Sequence, residues 1–136
     1  MGAYFQWDQE KFSVLVDAMD HEHQNLIAIM NELHERHGAG AGTAELASIV
    51  KRLGDYTAHH FADEERYLES IRFPGIVSHK AIHKELLTRF GEHVASFQKS
   101  GKLEAEFFAF LSAWLKMHIR GLDRKYGEFA TGKKAA

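Results

Sequence analysis

The stretch "YTAHHFADEERYLE" (Tyr56–Glu69) sets two histidines side by side, His59 and His60, ahead of Asp63, Glu64, Glu65 and Glu69. Adjacent residues of an α-helix point about 100° apart, so only one of the two histidines can face a given core. His59 with Asp63 and His60 with Glu64 are both i,i+4 pairs, and spacing inside the stretch does not separate them. The flanking residues do. Steps of three or four back from His60 reach Tyr56 and Thr57, Leu53, Val50 and Ile49, then Leu46; steps forward reach Glu64 and Leu68. The same steps from His59 reach Asp55, Arg52, Lys51 and Ser48 on one side, and Asp63 and Arg66 on the other. His60 and Glu64 therefore continue an apolar stripe into a core, and His59 and Asp63 face water.

The rhythm extends over four segments. The first runs from about Asp20 to His37, with Leu26, Ile29, Met30 and Leu33 inward, Asp17 or Asp20 as its cap, and "GAGAG" ending it. The second begins at Thr43, read as an N-cap, and continues to Ser70. The third starts around Pro74, a residue suited to a first helical turn, and carries Ile76, Ile82, Leu86, Phe90, Val94 and Phe97 inward. The fourth runs from about Leu103 to Tyr126, with Phe107, Phe110, Leu111, Trp114 and Leu115. Four amphipathic helices joined by short loops predict an all-α fold: an antiparallel up-down-up-down four-helix bundle. Residues 1–18 read as an extended N-terminal arm that packs through Phe5, Trp7, Phe12 and Val14, residues 19–127 as the bundle, and 128–136 as a tail. The length of 136 residues fits one domain over 1–136.

Composition narrows the chemistry. The chain has no cysteine, which removes disulfides, thiolate ligands, Fe–S clusters and covalently attached haem. A formal net charge of -2 without a basic face gives no reason to expect nucleic acid, and "GKK" near the C-terminus is too small to supply one. The N-terminal "MGAYFQWDQEK" has no long apolar run and reads as neither signal peptide nor membrane span, so the expected location is cytoplasmic. Histidine is the unusual residue: there are ten, spread from His21 to His118, which no terminal tag explains.

Periodicity sorts these histidines. His23 begins the row Leu26, Ile27, Met30 and Leu33; His79 and His83 stand in line with Ile76, Leu86 and Phe90; His118 follows Phe107, Leu111, Trp114 and Leu115. Every helix thus turns at least one histidine inward, and the second adds Glu64. One core histidine is ordinarily just hydrogen-bonded, but five converging imidazoles with a carboxylate call for cations. Five exceed the four ligands of a structural zinc, and a carboxylate can bridge two ions, so the natural reading is a dinuclear site. A second bridging acid would come from near His118. Asp123 is the candidate, yet five α-helical residues advance about 500° and leave it roughly 140° away from His118, so periodicity does not select it. His21, His34, His37, His59 and His93 read as surface residues. "HKAIH" carries Lys80 where a zinc protease needs its glutamate, and the paired Glu-x-x-His motifs of ferritin-like proteins are absent.

Four fragments in order, "MDHEHQNL" (Met19–Leu26), "HFADEE" (His60–Glu65), "HKAIH" (His79–His83) and "HIRGLD" (His118–Asp123), resemble the hemerythrin family in its single-domain bacterial form. Trp7 is similar to the family's N-terminal tryptophan, and the likeness covers residues 5–127. The resemblance implies a non-haem diiron centre with two Fe ions per chain and an oxo or hydroxo bridge. His79, His83 and His118 are the implied ligands of one iron and His23 and His60 of the other, with Glu64 and Asp123 bridging; Asp123 enters the ligand set only through this likeness. It also implies reversible O2 binding, end-on at the five-coordinate iron and as hydroperoxide, in a pocket lined by Trp114, Leu115 and Ile119. The expected function is oxygen storage, delivery or scavenging by a monomer, without catalytic residues and with O2 as the partner. The alternatives are a diiron enzyme acting on peroxide, O2 or nitric oxide, an O2 or redox sensor working through a separate partner, and an iron store. No motif names a protein acceptor of the O2.

Overall fold

The computed structural model describes residues 5–132. After a short helix α1 (Gln9–Phe12), the chain forms α2 (Asp17–Gly38), α3 (Thr43–Ser70), α4 (Ile76–Ser100), and a last long helix in three parts: α5 (Ala105–Ala113), a π-helical segment (Trp114–Asp123) and α6 (Arg124–Thr131). The loops are residues 39–42, 71–75 and 101–104. Connections this short force neighbouring helices to run antiparallel, and the result is the four-helix bundle that the apolar rhythm predicts.

Each helix buries the stripe its sequence repeats. Leu26, Met30 and Leu33 of α2, Leu46, Ile49, Val50 and Leu53 of α3, and Phe107 and Leu111 of α5 form the core. Helix α4 contributes less: its buried residues are His79, His83 and Phe97, while Leu86, Phe90 and Val94 are half-buried and Ile82, expected inward, is exposed. Among the surface histidines of the sequence reading, His34 and His93 are half-buried against phenylalanine rings, His34 on Phe108 and His93 on Phe107 and Phe110.

Helix ends differ from the sequence reading in physically simple ways. Helix α2 begins at Asp17 behind Val16, without a side-chain cap; Asp17 and Asp20 instead put negative charge in the first turn, where the helix dipole favours it. Thr43 lies inside α3 behind Gly42, and its hydroxyl donates to the Gly101 carbonyl at 3.1 Å, tying two loops together. Pro74 sits in the turn before Gly75, the N-cap of α4. Gly101 ends α4 at φ 73°, a left-handed conformation that glycine adopts without a Cβ penalty.

The arm, expected to be extended, contains α1, capped by Asp8 through the amides of Glu10 and Lys11. Asn31 holds its start by exchanging hydrogen bonds with the backbone of Phe5, both at 2.7 Å. Its end is held by the Asp20 carboxylate, which accepts from the Ser13 hydroxyl and the Val14 amide at 2.7 Å each, and by Arg124, which donates to the Ser13 carbonyl at 3.0 Å. The final helix continues to Thr131, past residue 127, and the remaining residues of the expected tail, 133–136, lie outside the described residues, as do 1–4.

Antiparallel order decides where polar core residues meet. His23 is near the start of α2, His60 and Glu64 near the end of α3, His79 and His83 near the start of α4, and His118 and Asp123 late in the last helix. All seven therefore lie at one end of the bundle.

Candidate metal centre

The seven side chains are buried: His23, His60, Glu64 and Asp123 are 0% exposed, His79 and His83 1%, and His118 5%. The imidazoles divide into two sets on opposite sides of two carboxylates. Glu64 Oε1 faces His79 Nε2 at 3.0 Å and His83 Nε2 at 2.9 Å, while Glu64 Oε2 lies 3.5 Å from both His23 Nε2 and His60 Nε2. Asp123 repeats the pattern, with Oδ1 at 3.0 Å from His79 Nε2 and 3.1 Å from His118 Nε2, and Oδ2 at 3.3 Å from His23 Nε2. One set is thus His79, His83 and His118, the other His23 and His60, and each carboxylate presents a different oxygen to each set. His59, by contrast, is exposed and pairs with Asp63 at 3.1 Å.

Asp123 reaches the site because the last helix changes its winding. Between Trp114 and Asp123 the helix is of the π type, and the Arg124 amide donates to the Ile119 carbonyl five residues back. Hydrogen bonding to the fifth residue brings residues five apart onto one face, as residues four apart are in an α-helix. His118 and Asp123 are five apart, so the roughly 140° offset of an α-helical count falls to that of two residues sharing a face.

Three groups behind the imidazoles and carboxylates have no signal in the apolar rhythm. His60 Nδ1–H donates to Glu22 Oε1 at 2.7 Å and His83 Nδ1–H to Glu65 Oε2 at 2.9 Å, which aims the opposite nitrogen, Nε2, of each ring into the site. Tyr126, itself fully buried, donates its hydroxyl to Glu64 Oε2 at 2.8 Å. Phe61 is the fourth omission: its ring stacks on His83 at 3.8 Å and 2°, and covers that side of the site. Its place fits the apolar rhythm of α3, four residues after Thr57, three before Glu64 and seven before Leu68, all buried.

Of the residues expected to line an O2 pocket, Trp114 is buried, stacks on His118 at 5.7 Å and 11°, and borders a small apolar cavity of about 20 Å³ with Met30, Thr57, Phe61, Leu111 and Phe110. Leu115 is buried between the bundle and a cleft under the arm, and Ile119 is fully buried.

The protonation pattern follows from this crowding. Burial lowers the pKa of His23 and of His79, but the carboxylates of Asp123 and Glu64 facing them outweigh it and push both up to about 9. Burial works against ionised Glu64 and Asp123 too, yet the surrounding imidazoles hold both carboxyls well below the usual range. Burial, with Glu64 and Asp123 adding to it, holds the Tyr126 phenol well above its ordinary value and keeps it a donor.

Protons alone leave much of the site unsatisfied. His23, His60, His83 and His118 Nε2 and both oxygens of Asp123 are buried without a hydrogen-bond partner. Such atoms are costly unless something else occupies their lone pairs. Two groups of ligand atoms, one from Glu64, His79, His83, His118 and Asp123 and one from His23, His60 and Glu64, each lie within 4.8 Å of one another. Imidazole and carboxylate together, without sulfur, suit iron in its common oxidation states. The residues present fit a pair of cations sharing two carboxylates.

Comparison with known proteins bears on which cations. A family model described as the hemerythrin HHE cation binding domain matches residues 14–130. A bacteriohemerythrin of Stenotrophomonas maltophilia is 31% identical over 120 residues, covering 88% of this chain and 78% of that protein. A myohemerythrin of Riftia pachyptila is 33% identical over 120 residues, 88% of each chain. The crystal structure of a wild-type hemerythrin superposes with a TM-score of 0.84 at 25% identity, over 92% of this chain and 96% of the other.

Proposed function

The chain belongs to the hemerythrin family, and on that footing we propose that it binds O2 reversibly at a non-haem diiron centre and serves oxygen storage, delivery or scavenging rather than catalysis. One observation carries the reading: two sets of Nε2 atoms stand on opposite oxygens of the same two buried carboxylates. His79, His83 and His118 would hold one iron, His23 and His60 the other, and Glu64 and Asp123 both. The iron pair would supply a reversible two-electron change to O2, and the set of His23 and His60 offers one imidazole fewer than the set of His79, His83 and His118.

The chain's own residues provide the rest. Glu22 and Glu65 accept hydrogen bonds from the Nδ1–H groups of His60 and His83, so that each ring offers Nε2 as a lone pair and gains basicity. Tyr126 holds Glu64 Oε2 in place and keeps a proton there. Phe61, Trp114, Leu115 and Ile119 are all buried, and an apolar wall of this kind excludes the water that would promote irreversible oxidation of the iron pair. The same proposal takes residues 1–136 as one domain, working as a cytoplasmic monomer. Among the described residues no helix is long and apolar enough to cross a membrane.

The test is iron analysis combined with an optical spectrum of the reduced protein before and after air. Two irons per chain, with a charge-transfer band that develops in air and disappears on deoxygenation, is the expected result. A different stoichiometry or an irreversible spectrum refutes the reading. Turnover of peroxide or nitric oxide well above that of free iron would replace it with the enzyme alternative.

A further inference from the structure

Away from the metal site, a cleft of about 500 Å³ lies between the N-terminal arm and the last helix. One wall is aromatic: the rings of Trp7 and Phe12 are 5.9 Å apart, with Phe5 beside them. Leu115 supplies an apolar surface from the last helix. The rim is cationic, with Lys11 from α1 and Lys116 and Arg120 from the π segment. These three side chains are exposed, and none of them is in an ion pair among the described residues. Asp8, the acid of the cleft, is engaged in capping α1, its carboxylate accepting the amides of Glu10 and Lys11 at 3.0 and 3.2 Å. An adjoining cleft extends the positive side from Lys11 and Arg120 to Arg124, with Glu10 at its edge.

We propose that this cleft is a binding site for a small planar aromatic anion, an aryl phosphate or sulfonate in chemical class. The flat ring lies against Trp7 and Phe12, and the acidic group sits among Lys116, Arg120 and Lys11. Each half of the cleft asks for a different part of that ligand. Trp7 and Phe12 are half-buried, and their remaining open faces gain from covering by another flat ring. Three cations on one rim repel one another and are relieved by an anion, to which arginine offers two parallel N–H donors. A neutral aromatic leaves the cations unpaired, and inorganic phosphate leaves the rings uncovered. The volume lies in the range of small-molecule sites, roughly 300–1,000 Å³. The proposal is separate from the metal reading: no candidate metal ligand lines the cleft, and Leu115, which borders it, is left in place by the test variants.

The iron-loaded protein is titrated calorimetrically with 2-naphthyl phosphate at low ionic strength, and with 2-naphthol and inorganic phosphate in parallel. The expected result is saturable binding of one 2-naphthyl phosphate per chain, about tenfold or more tighter than either half-ligand. The double variant Lys116→Gln with Arg120→Gln weakens it by a similar factor, and so does Trp7→Leu. Met117→Gln, placed in a separate apolar groove that also includes Ile82 and Leu86, leaves it unchanged. Lys116 and Arg120 are exposed, so the double variant keeps its helical circular dichroism, which is checked. No saturable binding, equal binding of 2-naphthol, or wild-type affinity in the folded double variant overturns the proposal.

Discussion

Replacing Gly127 with alanine tests whether the arm is built into the fold or merely lies on it. A Cβ at residue 127 would point at the Val14 carbonyl, 2.6 Å from its carbon and nearer still to its oxygen, with Leu15 Cβ at 3.5 Å. The obstacle is backbone, so no change of rotamer relieves it, and residues 13–15 have to lift. Val14 is fully buried, and returning a valine side chain to water costs about 1.5–3 kcal/mol. The Ser13 hydroxyl and Val14 amide lose Asp20, and hydrogen bonds to a charged group contribute about 1.5–3 kcal/mol each. Water reaching the uncovered Asp20 restores part of this, so the net expectation is about 3–5 kcal/mol, near the top of what single substitutions do. Helix propensity by itself has the opposite sign, favouring alanine by about 1 kcal/mol. Gly91→Ala provides the comparison: it is exposed inside α4 with nothing within 4 Å of the new Cβ, and it should stabilise by up to about 1 kcal/mol. Urea unfolding of both variants, with hydrogen exchange at the Val14 amide, reads the outcome. If Gly127→Ala is as stable as Gly91→Ala and Val14 stays protected, the reasoning is wrong.

His60→Ala should lower iron from two to one per chain by metal analysis, whereas His59→Ala, on the wet face, should leave it at two. Tyr126→Phe keeps the ring among Tyr67 and Phe73 but removes the donor to Glu64; urea unfolding should show a loss of about 1.5–3 kcal/mol, and an unchanged midpoint would contradict the hydrogen bond's role. In the metal-free protein, His23 and His79 titrate at about 9 against an ordinary 6.5. Their contribution to stability is complete below 6.5 and is lost as pH rises through about 9; that of Glu64 and Asp123, held below their ordinary values, is present above 4.5 and 3.8 and is lost in acid. Denaturant unfolding of the metal-free protein should therefore be hardest between about pH 4.5 and 6.5, and metal loading should tighten up to about pH 9 with release of protons to a pH-stat.

Much of the molecule is legible because burial repeats along a helix. The Tyr56–Glu69 stretch separates His60 from His59 through residues three and four away, and the same step locates His23, His79, His83 and His118 at the inner face. Exact helix starts were less legible: Val16, Gly42 and Gly75 stand at N-caps without capping side chains, so no local residue marks them. Ile82 shows a different limit. Its hydrophobicity satisfies the rhythm of α4, but three helices packed around the histidines leave it outside. Phe61 does share the three-and-four step of Thr57, Glu64 and Leu68, but neither that step nor any other spacing shows that Phe61, Tyr126, Glu22 and Glu65 act on the site.

Asp123 marks the boundary most clearly. Apolar spacing is local and survives in any regular helix, so it is enough to place four helices, their inner faces and the five inward histidines. Whether His118 and Asp123 share a face depends on how the helix between them is wound, and both windings satisfy the same apolar residues. The π segment costs hydrogen-bond geometry that an isolated helix would avoid. Packed in the bundle, it brings the second carboxylate beside His23, His79 and His118, which come from three different helices. No local pattern contains that choice, because the groups that reward it are brought together only by the fold.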